Sequence, residues 1–404
     1  METPPTLTTA RGAIPMMAAA CGIAVANVYL CQPLLSVMAS SFHASASAAG
    51  LVATGAQVGY ALGILLVVPM ADRADPRRLV RVLLGMTCVA LLCAGFSPSI
   101  HALALLTLLV TTVTVVPQVL IPVAVSVAAP GESGRVVGTM QSGLILGILL
   151  SRTVSGAVAQ FTGNWRASYL VAAFLTGSLF LVLPRFIPQR ARAGSDPDQS
   201  YLSLLTSLPK LFLAYRDLRF SAAVGASMFG AFSAFWATLA FHLAQPPFGF
   251  GSAQAGLFGL WGAAGALIAP FCGRLADRFG ATAVNVLSMC CAALAFAVFL
   301  RGGDVFMLAI VVGVNLLDFG NQSGQIANQA RIFKLDPAAR ARLNTVYMVC
   351  TFGGGAVGSA IGTTAWAVSA WRGVCFAGFA LVGVVGCLLL LRSMFRSRRA
   401  AAVS

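Results

Sequence analysis

The sequence predicts an all-α integral membrane protein: twelve transmembrane helices in two six-helix bundles related by internal duplication. Three observations carry this reading. The 404 residues are 58% hydrophobic and only 9% charged, against roughly 25% charged in soluble domains. Lysine and arginine are concentrated in alternate loops. Short motifs also recur at an offset of about half the chain.

The apolar runs are long and continuous, which excludes the alternating ten-residue pattern of a β-barrel. They fall at 13–39, 48–69, 79–97, 100–128, 136–161, 166–187, 218–245, 252–272, 281–300, 304–330, 343–369 and 372–392. A span needs about 20 such residues. Arg11 followed by an apolar run resembles a signal peptide. That run continues to about Ala39 without a clear cleavage site, so it is expected to be the first span.

The net charge of +15 suggests nucleic acid until the charges are placed. Of the 26 lysines and arginines, 22 fall on the side shared by both termini: Arg11, Arg135, and clusters after spans 2, 6, 8, 10 and 12. The other side has only Arg166, Arg301 and Arg372, and Arg152 lies inside span 5. The positive-inside rule then puts both termini in the cytoplasm. A chain rich in alanine and glycine, with short loops, suggests a bacterial inner membrane.

The 10 cysteines sit in apolar runs without metal-ligand spacing and read as small buried hydrophobes. His43, His101 and His242 are scattered, so no metal is expected. No P-loop and no catalytic motif is present, so neither a nucleotide cofactor nor an enzyme is expected.

Residues 1–187 form the expected N-terminal bundle. Residues 188–217 form a cytoplasmic linker that opens PQRARAGSDPDQS. Within the linker Leu202, Leu205, Leu208 and Phe212 are spaced for a short interfacial helix. Residues 218–404 form the second bundle and a basic cytoplasmic tail. The halves repeat: Ala71-Asp72-Arg73 returns as Ala276-Asp277-Arg278 after 205 residues, and Trp165-Arg166 returns as Trp371-Arg372 after 206. Gly147 and Gly156 return as Gly353 and Gly362, again after 206. Duplicated bundles of this size are a transporter architecture, with the substrate site near mid-membrane.

Here the sequence resembles the major facilitator superfamily. The family's loop motif after helices 2 and 8 has the form Gly-x-x-x-Asp-Arg-x-Gly-Arg/Lys. Gly273-Arg274-Leu275-Ala276-Asp277-Arg278-Phe279-Gly280 fits it well. The first copy keeps Asp72, Arg73, Arg77 and Arg78 but lacks the first glycine and has Asp75 in place of the second. The resemblance implies that Asp72, with Arg73 and Arg77, meets the start of helix 11 and helps hold the cytoplasmic side shut. Asp277 and Arg278 repeat that gate. Asp336-Pro337 reads as an N-cap with proline at the first helical position. Within the family the chain is most similar to bacterial drug and sugar efflux permeases of the drug:proton antiporter type. Their hallmark Gly-Pro pair in helix 5 is matched by Ser151-Arg152, a departure.

The candidate site centres on span 10, GVNLLDFGNQSGQIANQARIFK. Asn315, Asp318, Gln322, Gln325 and Gln329 fall on one helical face. A polar stripe with a carboxylate faces a cavity or another helix rather than lipid. Asp318 reads as a proton-coupling group, as a structural partner locked to Arg152, or as a helix-packing carboxylate bonded to Asn315 and Gln322. Arg152 reads either as a cavity charge facing Asp318 or an anionic substrate, or as a side chain reaching the outer interface. Burial favours a protonated Asp318 and a nearby cation favours the carboxylate, so wetting and drying in turn would load and release a proton.

Gln141 shares the face of Arg152. Gly143, Gly147, Ser151 and Ser155 make a small-residue face for close helix approach. Further lining candidates are Asn27, Tyr29 and Gln32 before a kink at Pro33, then Gln57 and Tyr60. Thr107, Thr111, Thr114 and Gln118 lie on span 4, with breaks expected at Pro117 and Pro122. Phe229, Phe232, Phe235, Trp236 and Trp261 are the aromatic candidates.

The expected function is secondary active transport of a small organic compound by alternating access, as proton-coupled efflux. Uptake or facilitated diffusion of a polar metabolite is the alternative, and a non-transporting sensor the remote one. The expected partners are the substrate, a proton and membrane lipid, with no nucleic acid and no second subunit.

Overall fold

A computed structural model describes residues 7–71, 74–129, 132–187, 201–262, 278–336 and 339–401. Each of the twelve expected segments contains helix. The first span is α1 (Leu7–Tyr29), a tight turn at Gln32–Leu34 and α2 (Leu35–Ser41). Next come α3 (Ala46–Ala71), α4 (Pro76–Gly95), the fourth span as α5 (Ile100–Val113) and α6 (Val116–Ser126), α7 (Ser133–Thr162) and α8 (Arg166–Val182). The short central helix is α9 (Tyr201–Ala214). The second half runs α10 (Arg216–Leu243), α11 (Ser252–Trp261), α12 (Ala281–Gly302), α13 (Met307–Ile332) and α14 (Arg340–Ala401). Non-helical backbone at Ser369 and Ala370 divides α14 into spans 11 and 12.

Among the described residues nine helices are long and apolar enough to cross a membrane. The 26-residue α13 is not one of them. Its polar stripe lowers its hydropathy, which singles it out as a helix that must bury one face in protein.

Local chemistry sets several boundaries. Pro33 sits in the turn that breaks span 1, and Pro117 lies at the start of α6 after the break in span 4. Pro122 does not break its helix: it lies inside α6. Within the first gate loop, Asp75 caps α4, its Oδ1 accepting from Arg78 N at 2.9 Å, with Pro76 in the first helical turn. That explains why an aspartate stands where the loop motif has glycine. Asp72, Arg73, Asp277, Pro337, Cys272 and the opening of the linker lie outside the described residues. The cysteines are not uniformly buried. Cys93, Cys290 and Cys387 are exposed, since a thiol is apolar enough to face lipid.

The chain divides into two compact units. The first holds residues 1–44, 51–206 and 250–260, and the second residues 45–50, 207–249 and 261–404. In the first, α1 and α7 pack backbone to backbone. A Cβ at Gly22 would lie 2.7 Å from Gly143 O, and one at Gly147 would overlap the Gly22 backbone. The second unit repeats this between α10 and α14, where Gly354 meets Ala226 and Gly358 meets Gly230. Gly362 continues the seam, with a Cβ there 2.7 Å from Ala234 Cα.

The recurring Trp-Arg pair also has a role in each unit. Arg166 donates to Gly95 O and Ser97 O, both at 2.9 Å, beneath the Trp165 ring. In the second unit the tryptophan makes the link instead. Trp371 Nε1 donates to Phe299 O at 3.1 Å, and the ring stacks on His242 at 3.9 Å.

The α1–α7 seam predicts that Gly147→Val lowers the stability of the detergent-solubilised protein by ~1–3 kcal/mol, the cost of overpacking. Gly134→Val, at a position with nothing within 4 Å, serves as the control and should change stability far less. Thermal unfolding of both variants checks this.

Candidate functional site

In the first unit Arg152 is 2% exposed. It does not reach a surface. Its Nε donates to Gln32 Oε1 at 2.7 Å, and its guanidinium carbon lies 5.2 Å from the centre of the Tyr29 ring. Both partners come from the end of the first span. The tight turn around Pro33 leaves Gln32 buried yet aimed across the bundle. Around it, Asn27 Nδ2 donates to Thr114 Oγ1 at 3.2 Å, and Thr114 donates to Ala24 O at 2.9 Å. Tyr60 and Gln118 are hydrogen-bonded. Gln57 is buried, and its Oε1 has no partner among the described residues. Arg152, Asn27, Gln32, Tyr60 and Gln118 are thus tied by short-range contacts to spans 1, 2, 4 and 5 of one unit. Gln141 stands apart. It is exposed, and eleven residues along α7 put it about 16 Å away along the helix axis.

An apolar groove of about 340 Å³ lies between α1, α7 and α8, lined by Ile23, Leu146, Leu150, Val154 and Val171 among others. Ser151, Ser155 and Ser168 also line it, but each donates to a backbone carbonyl: Ile148 O at 3.0 Å, Arg152 O at 3.3 Å and Ser155 O at 2.8 Å. The groove therefore presents hydrocarbon, and the ionic chemistry of this unit lies elsewhere, at Arg152.

In the second unit Asp318 is 5% exposed and Trp236 is 2% exposed. The indole Nε1 donates to Asp318 Oδ1 at 3.4 Å. Gly262 leaves room for the carboxylate: a Cβ there would overlap Asp318 Oδ2 and lie 3.1 Å from its Cγ. The rest of the predicted stripe divides. Asn315 turns back on its own helix, donating to Val311 O at 2.9 Å. Gln322 is half-buried and makes no hydrogen bond among the described residues. Gln325 Nε2 lies 3.9 Å from Met348 Sδ, and Gln329 donates to Asn344 Oδ1 at 3.2 Å.

Most of the aromatic candidates are packing residues. Phe235 is fully buried and stacks on Phe299 at 4.5 Å. Phe229 and Phe232 stack on each other. Trp261 is 51% exposed. Of the gate residues, Arg77 is half-buried, while Arg278 is exposed with its guanidinium 5.2 Å from the Phe279 ring.

One cluster escapes a reading of the sequence. Arg331, counted as a loop charge, is buried in the last turn of α13. It donates to Asn328 Oδ1 at 3.0 Å, Ser221 Oγ at 3.1 Å and Thr282 Oγ1 at 3.3 Å, and lies over the Phe220 ring. Asn285 completes the group through Asn328. The available signal was the Asn321, Asn328, Arg331 spacing, a second polar row beside the stripe.

Residues 17–357 match the family model described as Major Facilitator Superfamily. The chain belongs to the major facilitator superfamily. It is 39% identical over 387 residues to the "Uncharacterized transporter YgaY" of Escherichia coli O157:H7, covering 96% of this chain and 97% of that protein. It is 35% identical over 372 residues to the "Probable transporter SCO4007" of Streptomyces coelicolor, covering 92% and 85%. Among solved structures, the nucleoside transporter NupG superposes with TM-score 0.70 at 15% identity, covering 95% of this chain and 98% of that one. A bacterial homologue of the human lysosomal transporter Spinster gives TM-score 0.71 at 14% identity, covering 98% and 97%. The fold is therefore the superfamily's: all-α, twelve spans, two six-helix bundles. The chain is a multi-pass membrane transporter and not an enzyme.

The fit of Gly262 to Asp318 predicts a double-mutant cycle. Gly262→Ala alone should cost ~1–3 kcal/mol. In an Asp318→Ala background most of that penalty should vanish, because the clashing oxygen is gone. Thermal unfolding of the four proteins measures the coupling, and additive effects would place Asp318 away from Gly262.

Proposed function

We propose that this transporter exports a small organic compound against proton entry by alternating access, with Asp318 as the proton-coupling group. The observation that carries the reading is a carboxylate 5% exposed within a spanning helix, facing an indole N–H at 3.4 Å. A carboxylate buried at that depth is costly and is a functional group by default. The indole is a neutral donor, and unlike a cation it does not by itself fix the carboxyl as an anion. Arg152 is the cavity charge of the other half of the cycle, serving as counter-ion to Asp318 or as a clamp on an anionic group of the substrate. Gln32 and Tyr29 hold it from the first span.

In this reading the duplicated bundles rock about the central site, and the Asp72-Arg73 and Asp277-Arg278 loops close the cytoplasmic side. Both termini lie in the cytoplasm of a bacterial inner membrane, a reading supported by the placement of the arginines, and the chain works as a monomer. The half-buried amide of Gln322 favours a second reading, in which the stripe binds a polar metabolite for uptake or facilitated diffusion.

Efflux of a panel of dyes, antibiotics, sugars and nucleosides from cells lacking their major pumps tests the choice. The expected result is a compound exported by wild type and retained when an uncoupler is added. Asp318→Asn, expressed at the same level, should lower uphill export at least about tenfold while sparing downhill exchange, the cost of losing a group at the coupling step. Uphill export by Asp318→Asn at the wild-type rate would sink the assignment. Bidirectional exchange indifferent to the uncoupler would favour the second reading.

A further inference from the structure

The central helix α9 is apolar on two faces. Toward the protein, Leu208 is 5% exposed, with Leu204, Leu205 and Leu211 half-buried beside it. The opposite side carries Leu202, Thr206, Pro209 and Leu213, steps of four, three and four that make one outward stripe. Both leucines of that stripe are 69% exposed. A helix on an aqueous surface turns mainly polar residues outward, whereas α9 turns out two leucines and a proline beside Ser203, Thr206 and Lys210, the mixed face of an interfacial helix. With 14 residues α9 is about 21 Å long, too short to cross a hydrocarbon core of about 30 Å. Its outer cover therefore comes from the membrane surface on which it lies.

The charges beside it define that surface. Lys210 and Arg216 are exposed, and neither has an ion pair among the described residues. Arg219 is committed to the helix end, donating to Leu213 O and, at 3.4 Å, to Phe212 O. Among the described residues the one nearby acid, Asp217, is answered by Arg392 at 2.7 Å. Two cations next to an apolar stripe are thus left facing outward. Tyr201 pins the start of the helix by donating to Leu66 O at 2.9 Å.

We propose that α9 is a seat for an anionic phospholipid. Leu202, Pro209 and Leu213 bury in the acyl boundary, and Lys210 and Arg216 hold the phosphate of the headgroup. A surface helix worked by lipid charge is a control point separate from the coupling carboxylate, and it stands whether or not Asp318 couples protons.

The test is hydrogen–deuterium exchange of residues 201–214 in the whole transporter, held in nanodiscs of zwitterionic lipid alone or mixed in equal parts with phosphatidylglycerol. Anionic lipid should slow exchange of this segment by between about fivefold and about thirtyfold, the factor for one to two cations at an anionic surface. Lys210→Gln with Arg216→Gln should erase that difference, and Lys210→Arg should keep it. Leu202→Gln with Leu213→Gln should speed exchange in both lipids, while unchanged protection of α10 and α12 shows that the fold is intact. Equal exchange in the two lipids overturns the proposal. So does equal slowing by free inorganic phosphate added to zwitterionic discs, which would make the site one for a soluble anion. Unchanged or slower exchange in the leucine variant would mean that the stripe faces water or another protein.

Discussion

The backbone contact between α1 and α7 sets the geometry on which the rest of the first unit depends. In a bilayer there is no hydrophobic gain from bringing two apolar helices together, so association rests on how closely their surfaces fit. Gly22, Gly143 and Gly147 remove the side chains that would hold the axes apart. Once that register is set, Arg152, five residues past Gly147, falls where the end of the first span presents Tyr29 and Gln32. A side chain of any size in the seam would separate the guanidinium from its acceptor. The same construction in the second unit, where Gly354 and Gly358 meet Ala226 and Gly230, positions α10 and hence Trp236.

With packing fixed by small residues, the fate of each buried polar group separates structure from function. Most hydroxyls in the spans are satisfied within their own helix. Thr87, Thr111, Thr238, Thr351 and Thr363 each donate to the carbonyl four residues back, which costs little and carries no long-range information. Side chains that pair with one another across helices include Arg152 with Gln32, Asp318 with Trp236, Asn27 with Thr114, and the Arg331 cluster. The Arg331 cluster is closed around its guanidinium by amides and hydroxyls, which suits a fixed structural cation. Asp318 differs in kind: it is an acid that meets a neutral indole N–H on a facing helix.

Much of the fold was legible because membrane spans leave a coarse signal. Run lengths, cation placement and the 206-residue offset each survive small errors in boundaries. Proline breaks were legible where a second feature agreed: Pro33 follows polar Gln32, and Pro117 follows Thr114. Pro122 had no such support, and α6 runs through it. Of the candidate polar residues, Arg152 and Gln32 meet each other, as do Trp236 and Asp318. Arg331 was missed because a cation in the last turn of a helix has the same sequence whether it meets water or turns inward, and the partners that decide this, Ser221, Thr282 and Asn328, lie on three helices. The outward face of α9 was missed for the opposite reason. A leucine spacing of three and four shows that a helix is amphipathic, but not that both of its sides are apolar.

Ser151-Arg152, where the antiporter pattern has Gly-Pro, faces two glycines of α11. Gly256 in α11 stands where a Cβ would overlap Arg152 O, and a Cβ at Gly259 would lie 3.1 Å from Arg152 Cβ and 3.2 Å from its Cδ. Thr153 closes the same contact, donating to Gly256 O at 3.2 Å. A long cationic side chain at this point in α7 needs a partner helix with no side chains of its own along one turn, and α11 supplies glycine at both positions. Arg152 and these glycines therefore act as one structural solution. A guanidinium placed at this depth, bonded by Gln32 and seated against bare backbone, is too costly to serve only as filler.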